Sequence, residues 1–213
     1  MAKTAQKRLV RRLDLERALQ QVEPHPSPKA YLEQYTLPVD VAAEMLFIAA
    51  YINDDIINKT VVDLGCGTGI LAIGAVFLGA KKAVGVDIDN AALEIAEKNA
   101  EKLCVQERVQ WLKCDIDSIT GSFDTVLQNP PFGVQKRGAD RMFLLKALEL
   151  APVVYSLHKS GEGNRVFIKR FIEQHGGKVT GIFPMKLNIP RLFNFHTKRK
   201  YEVEVDLYRI VRK

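Results

Sequence analysis

A chain of 213 residues, 47% of them hydrophobic and 26% charged, is long enough to bury one full core and has the composition of a soluble globular domain. The net charge of +6 is a weak indication of nucleic acid, but residues 1–12 and 185–200 each hold five basic residues and no acid. No apolar run is long enough to span a bilayer, no signal peptide is evident, and the three cysteines lack paired metal spacing, so we expect a cytoplasmic protein with free thiols, no membrane contact and no metal.

The chain begins with a predicted amphipathic helix over residues 3–23, where Leu9, Leu13 and Leu19 recur near helical spacing and Pro24 ends the helix. Two interpretations stay open. The helix either caps the core with a solvated outer face, or presents its basic residues to RNA.

A proline-rich linker follows at residues 24–28, and we expect His25 within it to be exposed to solvent. Beyond it, the segment 32–36 precedes Pro38 and an apolar helix. Thr36 could lie near the start of that helix.

Three strand–helix units are predicted next, with strands at 59–64, 82–87 and 108–114 and helices at 69–78 and 90–103. Asp89 is the predicted N-cap of the second helix. Strands that alternate with helices indicate a parallel sheet, which binds ligands at the carboxyl ends of its strands.

The first of these strands runs into a glycine-rich turn, Asp63-Leu64-Gly65-Cys66-Gly67-Thr68-Gly69-Ile70. Glycine permits positive φ and lets a ligand approach bare backbone. The spacing is not the dinucleotide fingerprint, and no Lys-Ser/Thr pair follows as in a phosphate-binding loop.

Acidic residues end the next two strands. Asp87 lies 22 residues after Gly65, where an acid can accept hydrogen bonds from both hydroxyls of a ribose. Asp115 is placed to accept from an adenine amino group. Together with Asn129, these residues should meet at one edge of the sheet.

The segment Phe123–Gly133 opens as a strand and breaks at two prolines, because proline lacks an N–H and forces the preceding residue into extended geometry. The Asn129 side chain and the Pro130 carbonyl can accept the two hydrogens of an aromatic amine, and Phe132 can stack on a base. In isolation, Asn-Pro-Pro is more often a plain turn.

A basic loop over 134–138, with Lys136 and Arg137, is interpreted either as a lip that orders on RNA or as a plain loop. A helix over 139–150 and a strand over 153–158 follow. We expect His158 to be buried and hydrogen-bonded rather than a catalytic base, since adenine N6 is not acidic enough to be deprotonated first.

The last elements are a helix at 163–175, which Gly176-Gly177 ends, and strands at 178–184 and 201–211. The segment 185–200 between the strands interleaves basic residues with Phe193 and Phe195, a pattern that favours single-stranded nucleic acid over a plain edge loop. The acids at 202, 204 and 206 give the last strand one acidic face, which is unusual for a central strand.

The glycine-rich turn, Asp87, Asp115 and Asn-Pro-Pro-Phe together resemble the class I S-adenosylmethionine-dependent methyltransferases. Over roughly residues 30 to 210, the chain resembles the small-subunit ribosomal-RNA adenine-N6 methyltransferases and their archaeal relatives. The segments that carry this second resemblance are Leu32–Tyr35, Asp87–Asp89, Asn129–Gly133, Tyr155–Lys159, and Phe195-His196 through Val205–Leu207.

The resemblance implies an α/β fold, the class I methyltransferase (Rossmann-like) seven-stranded sheet, mostly parallel with an antiparallel last strand and with helices on both faces. It implies one methyltransferase domain over 1–213, with residues 1–30 an N-terminal basic helix and linker and residues 31–213 the catalytic core.

The resemblance also implies site residues. The catalytic residues would be Asn129, Pro130, Pro131 and Phe132. S-adenosylmethionine, with S-adenosylhomocysteine as its product, would contact Gln34, Thr36, Asp63, Gly65, Gly67, Thr68, Gly69, Ile70, Asp87, Ile88, Asp115, Ile116 and Asn129. The RNA-binding residues would be Lys136, Arg137, Lys198, Arg199 and Lys200. The family usually has its threonine two residues after the tyrosine, where this chain has Leu37, so the Thr36 contact departs from the pattern.

The implied activity is methyl transfer to N6 of an adenine in RNA, most of all small-subunit ribosomal RNA. The alternatives are a protein glutamine N5-methyltransferase of the release-factor type and a non-catalytic RNA-binding protein that retains the fold. DNA adenine methylation is weaker, since no residues remain for a target-recognition domain. Relatives commonly work with a small zinc-binding activator protein that pairs along a sheet edge, and we expect ribosomal RNA and such an activator as partners.

Overall fold

The computed structural model describes residues 10–133, 138–190 and 200–213. Within these ranges the α-helices are α1 (Arg12–Leu19), α2 (Val39–Phe47), α3 (Ile70–Phe77), α4 (Asn90–Lys102), α5 (Ala139–Leu150) and α6 (Glu162–Gln174). The strands are β1 (Thr60–Leu64), β2 (Lys82–Asp87), β3 (Val109–Lys113), β4 (Thr125–Gln128), β5 (Val153–Lys159), β6 (Gly177–Pro190) and β7 (Lys200–Arg212). A π-helical turn, Ile48–Ile52, continues α2. No helix in the described part of the chain is both long and apolar enough to cross a membrane.

The strands form one sheet in the order β3-β2-β1-β4-β5-β7-β6. All neighbours are parallel except around β7, which runs antiparallel to both β5 and β6. This confirms the predicted seven-stranded sheet with an antiparallel last strand.

The central strands are buried on both faces, so the sheet separates two apolar cores. Val61 and Leu127 point into one core, which receives side chains of α1, α2 and α3. Val62 and Val126 point into the other, which α5 and α6 cover. Helices therefore lie on both faces, as predicted, and β1 and β4 are held in a fixed register beneath their carboxyl ends.

The N-terminal helix packs on the same core as the sheet. Leu15 and Leu19 of α1 are fully buried, whereas Leu13 is 51% exposed, so the predicted apolar face was misplaced at that residue. Arg11 pairs with Asp14 and Arg12 with Glu16. The described part of this helix thus matches the capping interpretation, and residues 1–9 lie outside the described residues.

The β6–β7 hairpin is longer than predicted. We expected a connection from residue 185 onwards, but β6 continues to Pro190 and pairs with β7 from Lys200. The prediction was wrong for residues 185–190 because Met185 and Leu187, two residues apart, are buried on one face of the strand. Residues 191–199 lie outside the described part of the chain.

The acidic face of β7 follows from the same hairpin. Strand β5 pairs with β7 only from Val205 onwards. Glu202 and Glu204 therefore lie in the part of β7 that has no β5 neighbour, and both are exposed. Glu202 pairs with Lys186 at 3.0 Å. Asp206 is fully buried but accepts two hydrogen bonds from the Arg165 guanidinium, at 2.6 and 2.7 Å. Glu202 and Asp206 therefore each have a cationic partner that compensates the negative charge.

Candidate active site

A cavity of about 330 Å³ opens at the carboxyl ends of β1, β2 and β4. All but one of the predicted cofactor residues line it: Gln34, Thr36, Asp63, Gly65, Gly67, Thr68, Ile70, Asp87, Ile88, Asp115, Ile116 and Asn129. Residues far apart in the sequence converge here because parallel strands bring their carboxyl ends to one edge.

The exception is Gly69, which is not among the lining residues. A Cβ at Gly69 would lie 2.5 Å from the Trp111 ring, so this glycine serves close packing between the α3 N-terminus and β3. Gly67 differs, since a Cβ there would meet no atom within 4 Å. Both have positive φ, 87° and 54° respectively, but only Gly67 presents bare backbone to the cavity.

Asp87 organises the glycine-rich turn. Its Oδ2 accepts a hydrogen bond from the Gly67 N–H at 2.8 Å, and its Oδ1 accepts one from the Asp89 N–H at 2.9 Å. Each carboxylate oxygen can accept a further hydrogen bond, which leaves capacity for the two hydroxyls of a ribose. Burial raises the pKa of Asp87 from its ordinary value.

Asp63 lies at the end of β1 with only 1% of its surface exposed. Its Oδ2 accepts a hydrogen bond from the Ala72 N–H at 3.1 Å. Burial, with a smaller contribution from the nearby Asp87 carboxylate, raises the pKa of Asp63 to about 7. A cationic ligand in the cavity would stabilise the ionised form.

Residues 23–37 cross the cavity edge and are here named the strap. Its anchor is Asp89, which is 5% exposed and accepts hydrogen bonds from Lys29 Nζ at 3.0 Å and Gln34 Nε2 at 2.9 Å. Although burial alone would raise it, the hydrogen bonds from Gln34 and Lys29 lower the pKa of Asp89 to about 2. The strap is therefore tied to the residue two positions beyond Asp87, the last residue of β2.

His25 belongs to the same strap, and its expected exposure was wrong. Its side chain is 9% exposed and its Nε2 lies 3.3 Å from Asp89 Oδ2, without hydrogen-bond geometry. The linker folds back over the cavity instead of standing in solvent, because Lys29 and Gln34 hold it to Asp89.

Asp89 itself was predicted only as the N-cap of α4. That role is confirmed by its hydrogen bond from the Ala91 N–H at 3.2 Å. One feature of the sequence points to its second role, as anchor of the strap. Asp89 is the second acid in Asp87-Ile88-Asp89 and lies two residues beyond the end of β2.

Asn129 follows β4 directly and, with Pro131, lines the cavity. Asn129 Oδ1 accepts a hydrogen bond from the Tyr35 hydroxyl at 3.1 Å. Pro130 is buried and Phe132 half-buried. The Phe132 ring lies 6.1 Å from the Tyr35 ring, between centroids, and 5.6 Å from Lys159 Nζ. Asn129 and Pro131 therefore border the cavity, whereas Pro130 and Phe132, the other two predicted catalytic residues, are not among its lining residues.

Sequence reasoning missed Lys159 as a functional candidate. It is exposed at the end of β5, and the described residues include no carboxylate within ion-pair distance of it. The available signal was its position at the carboxyl end of a strand beside the Asn-Pro-Pro-Phe segment. Of the predicted RNA-binding residues, Lys136, Arg137, Lys198 and Arg199 lie outside the described residues, and Lys200 begins β7 opposite Pro190.

The expectation that His158 is buried and hydrogen-bonded is confirmed. It is 2% exposed, and its Nε2 lies 2.7 Å from Ser156 Oγ. Burial lowers the pKa of His158 to about 3, which keeps the ring neutral. It does not line the cavity.

Comparison with known proteins places this site in a family. The family profile described as ribosomal protein L11 methyltransferase (PrmA) matches residues 45–130. The rRNA N(6)-adenosine-methyltransferase METTL5 of Danio rerio is 40% identical over 92% of this chain and 96% of its own length. The Drosophila melanogaster enzyme of the same name is 37% identical over 92% of this chain and 93% of its own length.

A solved structure agrees over the whole fold. The Pyrococcus horikoshii protein PH1948 superposes with a TM-score of 0.89 at 38% identity, covering 96% of this chain and 99% of that protein. The profile match spans the glycine-rich turn through Pro130, whereas the METTL5 matches extend along nearly the whole chain. The chain is a methyltransferase and belongs to the family of the rRNA N6-adenosine-methyltransferases.

Proposed function

We propose that this protein transfers a methyl group from S-adenosylmethionine to N6 of an adenine in ribosomal RNA, most of all the RNA of the small subunit. The observation that carries the proposal is Asn129, fixed at the carboxyl end of β4 and open to the same cavity as Gly67 and Asp87. The names of the full-length relatives support the adenine target.

The cavity has the donors and acceptors that S-adenosylmethionine needs. Asp87 retains acceptor capacity for ribose hydroxyls, and the backbone at Gly67 is open. Asp63 offers a buried carboxyl that a cationic amino group would ionise, and Asp115 can accept from an adenine amino group. When bound, the cofactor supplies a methyl group activated by a positively charged sulfur.

The residues of the chain would do the rest by positioning. Asn129 Oδ1 and the Pro130 carbonyl accept the two amine hydrogens and draw the nitrogen lone pair out of conjugation with the ring. Phe132 stacks on the base once it has left its helix. N6 then gains the methyl carbon as the carbon–sulfur bond breaks, and its extra proton passes to solvent. The neutral, buried His158 takes no part as a base.

Substrate RNA would be held by phosphate contacts from Lys136, Arg137, Lys198, Arg199 and Lys200. Lys159 adds a cation beside Phe132. Sequence and position support these assignments, since phosphate recognition needs cations near the pocket that takes the base.

A zinc-binding activator protein would pair along a sheet edge. The sheet has two edge strands, β3 and β6, and Leu112 on β3 is 39% exposed. Hydrogen exchange of the backbone amides with and without the activator checks this. Protection confined to one edge strand is expected, and unchanged exchange on both β3 and β6 would contradict edge pairing.

The direct test is mass spectrometry of ribosomal RNA nucleosides from cells with and without this protein, followed by methyl transfer in vitro. We expect loss of one N6-methyladenosine without the protein and its restoration by purified enzyme. Methylation of ribosomal protein L11 or a release factor, with RNA untouched, would overturn the proposal.

Asn129→Ala tests the chemistry at the site. The amine hydrogens become more acidic as nitrogen becomes tetrahedral, so the lost interaction belongs mostly to the transition state. We expect single-turnover methylation to slow by about 10²–10³. S-adenosylmethionine affinity, measured by calorimetry, should fall far less than the rate, because Asn129 is one of many residues assigned to the cofactor. A normal single-turnover rate would remove the proposed role of Asn129.

A further inference from the structure

Asn129 and Tyr35 are joined by a hydrogen bond that spans 94 positions of the chain. The Tyr35 hydroxyl donates to Asn129 Oδ1 at 3.1 Å. The Tyr35 ring also lies against Phe132, with ring centroids 6.1 Å apart and planes inclined by 35°. One strap residue therefore contacts two residues of the Asn-Pro-Pro-Phe segment.

This hydrogen bond fixes the orientation of the Asn129 side chain, which the sheet leaves free to rotate. Strand β4 fixes the backbone that leads into Asn129, but the side-chain amide can still rotate about two bonds. An amide oxygen has two lone pairs, so a hydroxyl that uses one leaves the other for an amine hydrogen. A hydroxyl donor can thus hold the oxygen in place and still leave it one lone pair for the substrate.

Tyr35 is suited to remain a donor. Burial strongly raises the pKa of Tyr35, so its hydroxyl keeps its proton throughout the working range of pH. Little water can compete for the bond, because both partners are at least partly buried.

The strap also fixes Tyr35 from the cofactor side. The preceding residue, Gln34, donates to Asp89 at 2.9 Å, and the Asp89 N–H donates to Asp87 Oδ1 at 2.9 Å. Consecutive strap residues therefore contact Asp89, which is hydrogen-bonded to the proposed ribose-binding acid Asp87, and Asn129, the proposed amine acceptor.

We propose that Tyr35 is a positioning residue, whose hydroxyl holds the Asn129 amide with Oδ1 available to the incoming adenine amine. The inference rests on the proposed function and adds a residue to it. Tyr35 touches neither reacting atom in this scheme and acts through Asn129.

Tyr35→Phe tests the inference, since it removes the hydroxyl and keeps the ring. Tyr51→Phe is the matched control, because the Tyr51 hydroxyl also takes part in a partly buried hydrogen bond, which it accepts from the Val10 N–H at 3.0 Å, away from the site. We expect the single-turnover rate of Tyr35→Phe to fall by about three- to tenfold, as for one net hydrogen bond. Its affinities for S-adenosylmethionine and RNA should stay within about twofold, and Tyr51→Phe should keep the wild-type rate.

The double variant Tyr35→Phe/Asn129→Ala separates positioning from a general structural effect. If Tyr35 acts through Asn129, the double variant is no slower than Asn129→Ala alone. Independent losses that multiply would overturn the inference. So would melting temperatures that show no coupling between the two substitutions, because the hydrogen bond would then be absent.

The two proposals fail in different ways. A wild-type enzyme that transfers no methyl group to adenine in RNA overturns the proposed function, and the positioning role with it. An active wild-type enzyme with Tyr35→Phe at the wild-type rate overturns the positioning role alone.

Discussion

Asp63 and Asp89 lie at the same edge of the sheet, yet their pKa values move in opposite directions. Asp63 is buried with one backbone hydrogen bond from the described residues, and burial raises its pKa to about 7. Asp89 is also buried, but Lys29 and Gln34 donate to it, and its pKa falls to about 2. Partners, rather than depth, decide which carboxyl is ionised.

The two shifts act on stability in separate pH windows. The pKa of Asp63 is raised in the folded state, so its contribution to the free energy of unfolding is full below the pKa of an unfolded aspartate and is lost as pH rises through about 7. The pKa of Asp89 is lowered in the folded state, so its contribution to the free energy of unfolding is full above the pKa of an unfolded aspartate and is lost as pH falls through about 2.

Asp63→Asn should therefore flatten the pH dependence of stability between the ordinary aspartate pKa and about pH 7. Without cofactor, we expect the wild-type melting temperature to fall by several degrees between about pH 5 and pH 8, and that of Asp63→Asn to change much less. Thermal unfolding checks this. The exposed Asp54→Asn is the control and should follow the wild type. Equal slopes for wild type and Asp63→Asn would contradict it.

Asp87→Ala should cost cofactor affinity. The change removes the proposed acceptor for the ribose hydroxyls and leaves the Gly67 and Asp89 N–H groups without their present partner. We expect a loss of roughly 3 kcal/mol, about a hundredfold in Kd for S-adenosylmethionine. Calorimetry measures it, and an unchanged Kd would show that the ribose does not bind at Asp87.

At the scale of elements, the β6–β7 hairpin and α6 depend on one compensated charge. Asp206 is fully buried in β7, and Arg165 of α6 supplies two hydrogen bonds to it. The contact joins α6 to β7, the strand that runs antiparallel to both of its neighbours. Removing one partner of such a pair leaves a buried charge without compensation, which costs more than the pair itself contributes.

Arg165→Ala should therefore lower the melting temperature by several degrees. Lys186→Ala is the matched control, because it breaks an ion pair with Glu202 in the same hairpin whose two partners are exposed. We expect little change from that control. Differential scanning calorimetry of both variants checks this, and equal effects would show that the burial of Asp206 is not what matters.

For the whole molecule, the net charge of +6 is less informative than its arrangement. In the sequence, Lys198, Arg199 and Lys200 lead into β7. Strand β6 runs parallel to β5, so its last residue, Pro190, which is paired with Lys200, lies at the edge of the sheet where the cavity opens. Phosphate contacts from this edge would orient RNA towards Asn129.

Reversing Lys198, Arg199 and Lys200 to Glu should weaken RNA binding and its salt dependence while sparing cofactor affinity. Losing three phosphate contacts should reduce the slope of log affinity against log salt by about 2. Reversal of the exposed Lys81, Lys82 and Arg108 is the control, since these lie at the amino ends of β2 and β3. Binding titrations over a salt series measure both. A slope that the first triple change leaves intact would exclude these residues from the RNA contact.

The sequence by itself determined the order of the strands and helices and the edge at which the site lies. Periodicity and turn residues are local signals, and the handedness of strand–helix units leaves few ways to assemble them. Gly65, Asp87, Asp115 and Asn129 could therefore be placed at one edge before any coordinate was known, and all four line the cavity. The same local signals missed the alternation of Met185 and Leu187, which lengthens the hairpin.

Only the tertiary structure decided how the strap meets the site. The contacts of Asp89 with Lys29 and Gln34 span 60 and 55 positions, and that of Tyr35 with Asn129 spans 94. Pairs so far apart leave no periodic trace in one sequence, because a side chain's partner depends on which surfaces the fold brings together. For the same reason, neither the low exposure of the His25 side chain nor the contact of Tyr35 with the Asn-Pro-Pro-Phe segment could be recognised from the residues around them.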